Sequence, residues 1–451
     1  MKFKSINPYT NEVLEEFEPF DDQTIHIALS KAEHAFMQWR KTSFGHRADH
    51  FKKAASILRK EQNKFARTIT LEMGKAINEA KAEVEKCAWV CDYFAENGEE
   101  FLKNDIIASD AQKSYVTYEP IGAILAIMPW NFPFWQVFRF AAPSLMAGNV
   151  GLLKHAPNVS RCALQIEEIF REAGFPEGVF QTLIIDVDKV EGIIEHPFVQ
   201  AATLTGSERA GSSVAALAGK NIKKTVMELG GSDPFIVLSD ADLENTAKVA
   251  VQSRMLNAGQ SCIAAKRFIV VDPVREAFVE KVREHILQLK TGDPLEASTT
   301  TGPLARVDLA ENIARQVQQS VEKGADLVLG GEQESTRFQP ALLLSVKPGM
   351  PAFDEETFGP AMTVIHAKDE AEAIELANHT RYGLGASIWT TDTDRGNAIA
   401  KEIFAGCVFI NSLVKSDPRL PFGGVKKSGY GRELSYLGIK EFVNAKTVYI
   451  A

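Results

Sequence analysis

Between residues 21 and 40, apolar side chains fall at Ile25, Ala28, Leu29, Ala32, Phe36 and Trp39. This 3.6-residue stripe predicts an amphipathic helix that opens at the acidic pair Asp21-Asp22. Two more helical patterns follow, over 46–67 and 75–97, so the first hundred residues read as helical. The period then changes. Strand-length apolar runs alternate with helical stretches: Ile121–Met128, a helix from Pro133, Val150–Leu153, a helix over 160–172, Gln181–Ile185, Ala201–Leu204 and a helix from Ser207. Such alternation predicts an α/β fold with a parallel, doubly wound sheet covered on both faces. A second series has strands near 234–238, 267–271, 385–390 and 407–411, and a domain boundary is placed at Gly230-Gly231. Ser114–Glu119 and Lys446–Ile450 also alternate, but neither has a helical cover. Orphan strands of that kind often pair outside their own domain.

At 451 residues the chain is too long for one ordinary core, which implies two or three domains. Its longest apolar stretches are far short of a membrane span. The net charge of −9 is spread along the chain. No basic footprint for nucleic acid or an anionic membrane is therefore present. The first residues show neither an apolar leader core nor an Arg/Ser-rich presequence, so a cytoplasmic protein is expected. Five thinly spread cysteines (Cys87, Cys91, Cys162, Cys262 and Cys407) do not describe a disulfide scaffold. Cys87 and Cys91 stand four apart on a helical pattern with no Cys/His pair at metal-ligand spacing nearby. They are expected as two half-buried helix residues, and no metal site is expected.

Four segments place a reactive or structure-breaking residue where an element should begin or end. In Gly259-Gln-Ser-Cys262 a thiol follows a glycine turn, ahead of a strand, where small molecules have access. Its nucleophilicity requires the thiolate, hence a lowered pKa or a base; taken alone, the segment reads more readily as a structural cysteine. In Met227-Glu-Leu-Gly-Gly231, Glu228 ends an apolar strand. Burial there raises a carboxyl pKa as a general base requires, although a salt-bridged loop glutamate reads the same way. Pro129-Trp-Asn-Phe-Pro133 holds Asn131 at a strand's C-terminal edge, as an oxyanion donor or simply a turn residue. Leu204-Thr-Gly-Ser207 turns a strand into a helix whose first N–H groups suit a phosphate. No G-x-G-x-x-G fingerprint accompanies it.

Taken in order, Pro-Trp-Asn-Phe-Pro, Lys154, Thr-Gly-Ser, Glu-Leu-Gly-Gly, Gly-Gln-x-Cys, Glu-x-Phe-Gly-Pro at 356–360 and Pro-Phe-Gly-Gly-x-Lys-x-Ser-Gly at 421–429 resemble the aldehyde dehydrogenase superfamily. The resemblance covers essentially the whole chain, including the 34 positions from Glu228 to Cys262. It implies a Rossmann-like cofactor domain (1–103 and 121–230), a second α/β catalytic domain (231–428) and a small β bridging segment for oligomerisation (104–120 and 429–451). It further implies that Cys262 attacks an aldehyde carbonyl to give a thiohemiacetal. Asn131 and the Cys262 backbone N–H would stabilise the oxyanion, whose collapse expels hydride to a nicotinamide and leaves a thioester. Glu228 would activate the water that hydrolyses it. Trp130, Lys154, Gly206, Ser207, Leu229, Glu356 and Phe358 match cofactor-contacting positions. A small aldehyde as substrate and a homodimer or homotetramer are implied as well.

Lys-His-Ala-x-Asn (154–158) and Phe-Gly-Gly-Val-Lys-Lys-Ser-Gly (422–429) are most similar to the shorter bacterial succinate-semialdehyde dehydrogenases. Arg139 stands eight residues after Asn131, with Trp135 on the same helical face. Its planar fork suits a substrate carboxylate, and Ser416 is expected to add a hydroxyl donor. An arginine reaching the surface or paired with a structural acid is the alternative. NAD-specific relatives carry a glutamate three residues after the ribose-binding lysine, where this chain has Pro157; both NAD and NADP are therefore expected. Other readings are a dehydrogenase of a different small aldehyde, a CoA-acylating relative, against which Glu228 argues, and a non-enzymatic relative.

Overall fold

The computed structural model describes residues 2–451. Two sheets dominate it. The first contains six strands in the order Gly429–Tyr430, Lys224–Glu228, Val199–Thr205, Ala123–Met128, Val150–His155 and Phe180–Thr182. Its pairings are parallel except for the antiparallel pair of Gly429–Tyr430 with Lys224–Glu228. Every residue of Val150–His155 is buried, as a strand covered by helices on both faces requires.

The second sheet contains seven strands, in the order Asp326–Leu329, Ala341–Leu344, Ala361–Ala367, Arg267–Val271, Pro234–Val237, Gly385–Trp389 and Cys407–Ile410. All pairs are parallel except the first. The chain passes from one sheet to the other between Glu228 and Pro234. Three of these strands, at 326–329, 341–344 and 361–367, lie beyond the sequence expectation. Asp326–Leu329 is an exposed edge and carries no inward alternation for a pattern to register.

The opening hundred residues depart from the helical expectation. Phe3–Ile6 and Val13–Phe17 form an antiparallel hairpin whose Phe3 and Phe17 pack with Ile184. The stretch 46–67 is also two helices, Phe44–Lys60 and Gln62–Met73, broken where Glu61 leaves the helical basin at φ −101°, ψ 19°. Both Cys87 and Cys91 are fully buried on the helix Ile77–Phe101, rather than half-buried.

The two orphan strands find each other. Lys113–Pro120 and Val443–Ile450 pair antiparallel over eight registered positions, and Asp105–Ile106 extends the other side of Lys113–Pro120. Val443–Ile450 is left as an edge with most of its residues exposed. The segment 429–451 is not all of one piece, since its first two residues join the six-stranded sheet beside Glu228.

Topology places the site. In the six-stranded sheet the chain winds outward from Ala123–Met128 in one direction, then returns to its other side at Val199–Thr205. The crevice at such a reversal, beyond the strands' C-terminal ends, is where open α/β sheets take ligands. Pro129–Pro133 and Gly206-Ser207 leave the sheet there. Opposite stand the entries to the second sheet: Gly231 before Pro234–Val237, Cys262 before Arg267–Val271, and Thr357–Gly359 before Ala361–Ala367.

Candidate active site

Cys262 is presented by a turn of unusual backbone. Asn257, Ala258 and Gly259 are consecutively left-handed, with φ of 54°, 53° and 75°, a conformation that costs non-glycine residues free energy. Several buried groups hold it. Arg254 donates through Nη2 to the carbonyls of Gly259 (2.9 Å) and Thr357 (3.2 Å), and through Nη1 to that of Ala265 (3.1 Å). Asn257 Nδ2 donates to the carbonyl of Asn131 at 2.7 Å, joining the thiol turn to the Pro129–Pro133 turn. Lys266 Nζ donates to the carbonyls of Ser261 (2.9 Å) and Cys262 (2.6 Å). The thiol is half-buried. Burial pushes its pKa up to about 11, against the opposing pull of Arg139 and Lys266. At neutral pH it therefore rests as the thiol.

Asn131 is oriented at both ends of its amide. Oδ1 accepts from Gln136 Nε2 (3.1 Å) and Nδ2 donates to the Gln260 carbonyl (3.0 Å). An amide nitrogen carries two hydrogens, so one N–H remains for a ligand. The turn is pinned by a residue that the sequence reading does not single out, Glu83. Its Oε1 accepts from the backbone N–H groups of Phe134 (2.9 Å) and Trp135 (3.0 Å) at the start of the next helix. Its Oε2 pairs with buried Lys75, which also donates to the Asn131 carbonyl at 2.9 Å. His155 braces the other side, its ring nitrogens lying between the Met128 carbonyl (Nδ1, 3.1 Å) and the Pro133 carbonyl (Nε2, 2.8 Å).

Glu228 ends its strand as expected and is fully buried, but it is not among the residues lining the cavity beside Cys262. Both carboxylate oxygens lack a hydrogen-bond partner. Burial, then the neighbouring Glu433 carboxylate, hold its pKa well above the ordinary range. Its neighbours are Gly423, Glu433 and Arg139.

The cavity beside the thiol has a volume of about 220 Å³, below the roughly 300–1,000 Å³ typical of ligand pockets, and favours a small substrate. Cys262, Trp135, Arg139, Ser416 and Phe422 lie on its wall. Arg139 does not point into solvent. It is 3% exposed, forms an ion pair with Glu433, donates to Thr205 Oγ1 at 3.2 Å and lies 4.8 Å from the Phe422 ring centroid. The pairing with a structural acid, left open by the sequence, is thus realised, while Arg139 remains one of the residues of the cavity wall. Trp135 Nε1 donates to Ser416 Oγ at 3.0 Å. Lys86, absent from the sequence expectation, donates to the same oxygen at 2.9 Å and stands 4.1 Å from the Trp135 ring centroid.

A separate cleft of about 630 Å³ lies over the six-stranded sheet, with Lys154, Leu204, Ala210, Val214 and Leu217 on its wall. Lys154 Nζ is buried and makes only a long contact, 3.4 Å, with the His155 carbonyl; burial lowers its pKa. Ser207 caps the helix Glu208–Lys220 by accepting from Ala210 N–H at 3.3 Å, with Gly206 beside it. Pro157 is exposed at the start of a short 3₁₀ turn. Leu229 fills the space over Gly211. Trp130 and Phe358 meet edge-to-face at 5.9 Å, and Glu356 Oε1 accepts from Gly231 N–H at 2.9 Å. An underused buried ammonium, a capped helix start and an apolar slot between them fit an adenine nucleotide carrying phosphate.

Comparison with known proteins gives a consistent result. A model described as "Aldehyde dehydrogenase family" matches residues 1–448. A protein of Synechocystis sp. named probable succinate-semialdehyde dehydrogenase (NADP+) is 50% identical over 454 residues, covering 100% of both chains. The succinate-semialdehyde dehydrogenase (NADP+) of Mycolicibacterium paratuberculosis is 48% identical over 457 residues, covering 100% of this chain and 97% of that one. Among solved structures, succinic semialdehyde dehydrogenase from Streptococcus pyogenes in complex with NADP+ superposes with a TM-score of 0.97 at 40% identity, over 99% of each chain.

Proposed function

The chain belongs to the aldehyde dehydrogenase family, and from that membership we propose that it oxidises succinate semialdehyde to succinate with NADP+, and also accepts NAD+. The observation that carries the substrate is the small cavity in which Cys262 shares a wall with Arg139, Trp135 and Ser416. Although Arg139 is paired with Glu433, Lys86 and Lys415 add to the positive charge of this wall, which favours a carboxylated aldehyde over a plain aliphatic one. The relatives' names point to the same substrate.

Cys262 is the nucleophile. As thiolate it adds to the aldehyde carbonyl, and the oxyanion is met by the spare N–H of Asn131 and the Cys262 backbone N–H. When bound, the dinucleotide supplies the two-electron acceptor that turns the thiohemiacetal into a thioester. Lys154, Gly206, Ser207 and Leu229 hold its adenosine and pyrophosphate portion, and Trp130, Glu356 and Phe358 its nicotinamide side. Glu228 takes a proton from the water that releases the acid and regenerates the thiol. To do so its side chain swings from Glu433 toward the cavity; a carboxyl without a hydrogen-bond partner has little to hold it back. At Pro157 no carboxylate is present to repel a 2′-phosphate, which supports the use of NADP+. The division at Gly230-Gly231 gives the cofactor to one unit and the thiol to the other, and the edge strand Val443–Ile450 offers a surface for homo-oligomerisation. No described helix is long and apolar enough to cross a membrane, and we place the activity in the cytoplasm.

The test is absorbance at 340 nm across an aldehyde panel, with NADP+ or NAD+, and with or without CoA. The highest kcat/KM is expected for succinate semialdehyde, without CoA. A higher value for butyraldehyde, which lacks the carboxylate, would remove the substrate; strict CoA dependence would replace the hydrolytic reading with acyl transfer. NADP+ rejected by more than about a thousandfold, on the order of 4 kcal/mol, would overturn the cofactor reading.

A further inference from the structure

Lys86 projects from the helix Ile77–Phe101 into the cavity that holds the thiol. Its surroundings are arranged for an anion that the protein itself does not supply. The closest carboxylate on its own helix, Glu83, is committed: one oxygen takes the N–H groups of Phe134 and Trp135, the other pairs with Lys75. Asp417 is engaged by Arg419 through both of its oxygens, at 2.8 and 2.6 Å. Lys86 forms no ion pair among the described residues, and its only hydrogen bond goes to Ser416 Oγ.

That single bond has a consequence for Ser416. A hydroxyl oxygen has two lone pairs and one proton. Here Lys86 Nζ, at 2.9 Å, and Trp135 Nε1, at 3.0 Å, occupy both acceptor positions. The Ser416 proton is left as a donor only. Lys86 itself keeps two N–H groups, and Arg139 adds positive charge from the neighbouring helix. Glu79, the other carboxyl on the wall, accepts from Asn257 N–H through both oxygens, and a half-buried ammonium without a counterion is costly unless an anion completes it.

We propose that Lys86 is a specificity-determining residue: its ammonium, with the Ser416 hydroxyl that it orients, receives the substrate carboxylate, while Arg139 is largely committed to Glu433. This assignment rests on the reading of the substrate as a carboxylated aldehyde. It also gives the selectivity a pH dependence. Burial, then the charge of Arg139, bring Lys86 down to about 8, against Cys87, Glu83 and Asp417, which act in the opposite sense. Lys75, Glu79, Lys415 and Cys262 are the other titratable groups on the cavity wall. Below that value the site carries its ammonium; above it the ammonium is lost and the carboxylate loses its partner.

The experiment measures the ratio of kcat/KM for succinate semialdehyde to that for butyraldehyde between pH 6.5 and 9.5. Taking the ratio cancels the ionisation of Cys262, which both substrates share. Wild type should show a ratio that falls above pH about 8. Lys86→Met should lower the ratio at pH 7 by about 10- to 100-fold, as expected for a lost charge-assisted pair, and remove its pH dependence. Lys86→Arg, which stays charged throughout, should retain a high ratio and be flat with pH. Circular dichroism and thermal unfolding report whether each variant is folded, and Lys86→Gln replaces the Met variant if it is not. A ratio in Lys86→Met within twofold of wild type overturns the assignment, as does a wild-type ratio independent of pH. If wild type shows no preference for the carboxylated aldehyde, the substrate reading fails with it. A preference retained in the Met variant sinks the lysine alone.

Discussion

The half-buried thiol of Cys262 and the buried carboxyl of Glu228 both have pKa values raised by burial, and that decides how the two residues should respond to pH. With Cys262 at about 11, the thiolate fraction of the free enzyme grows close to tenfold per pH unit across the neutral range. Iodoacetamide alkylation of Cys262, followed by peptide mass spectrometry, should accelerate by that factor per pH unit, about a hundredfold in all, between pH 7 and 9. A rate already level by pH 8 would mean a thiol activated before any ligand arrives. In the proposed mechanism Glu228 bears on the second half of the reaction. Its raised pKa makes it a proton holder at low pH and a base as pH rises, so thioester hydrolysis should speed up with pH until Glu228 has ionised. Glu228→Gln should give a burst of reduced cofactor close to one per site and then turn over slowly. Loss of the burst itself would assign Glu228 to thiol activation instead.

At the scale of elements, the turn before Cys262 is the part most sensitive to small changes. A Cβ on Gly259 would lie 2.2 Å from the Gly359 carbonyl oxygen and 2.6 Å from Arg254 Nη2, at a backbone φ of 75°. Neither neighbour can yield easily, because Arg254 is fully buried and ties together the thiol turn and the 357–359 segment. Gly259→Ala combines overpacking with left-handed strain, together about 2–4 kcal/mol. The variant should melt several degrees lower, and its surviving folded fraction should lose at least tenfold in kcat because the thiol is displaced. Wild-type values for both would show that this turn has more freedom than its contacts allow. The helix Ile77–Phe101 acts at a distance in a comparable way, since Glu83 fixes the turn of Asn131 and Lys86 reaches the cavity from the same face.

For the whole molecule, the proposed site draws on both sheets: Asn131 leaves the first, Cys262 precedes a strand of the second, and Asn257 Nδ2 joins the two turns at 2.7 Å. Part of the three-stranded sheet is left unpaired. Its edge strand Val443–Ile450 exposes Tyr449 and Ile450, at 53% and 43%, and long unpaired edges invite another strand. Deleting residues 443–451 should lower the mass seen by light scattering toward that of one chain. An unchanged mass would place the subunit contact elsewhere.

Periodicity alone determined the local frame. The helix over 160–172 and the strands at 234, 267, 385 and 407 follow from apolar spacing, because covered parallel strands and amphipathic helices must repeat their buried positions. The thiol, the strand-end carboxyl and the proline-flanked amide were legible too, each standing beside a glycine or proline that breaks an element. Only the tertiary structure could decide which charges meet. The pairing of Arg139 with Glu433 spans nearly three hundred positions, and the convergence of Lys86, Trp135 and Ser416 on one hydroxyl joins two helices to a distant loop. No local pattern encodes such contacts. A buried charge is recognised by what surrounds it in space, and Lys86, in a helix with six glutamates and one other lysine, looks in sequence like any solvated residue.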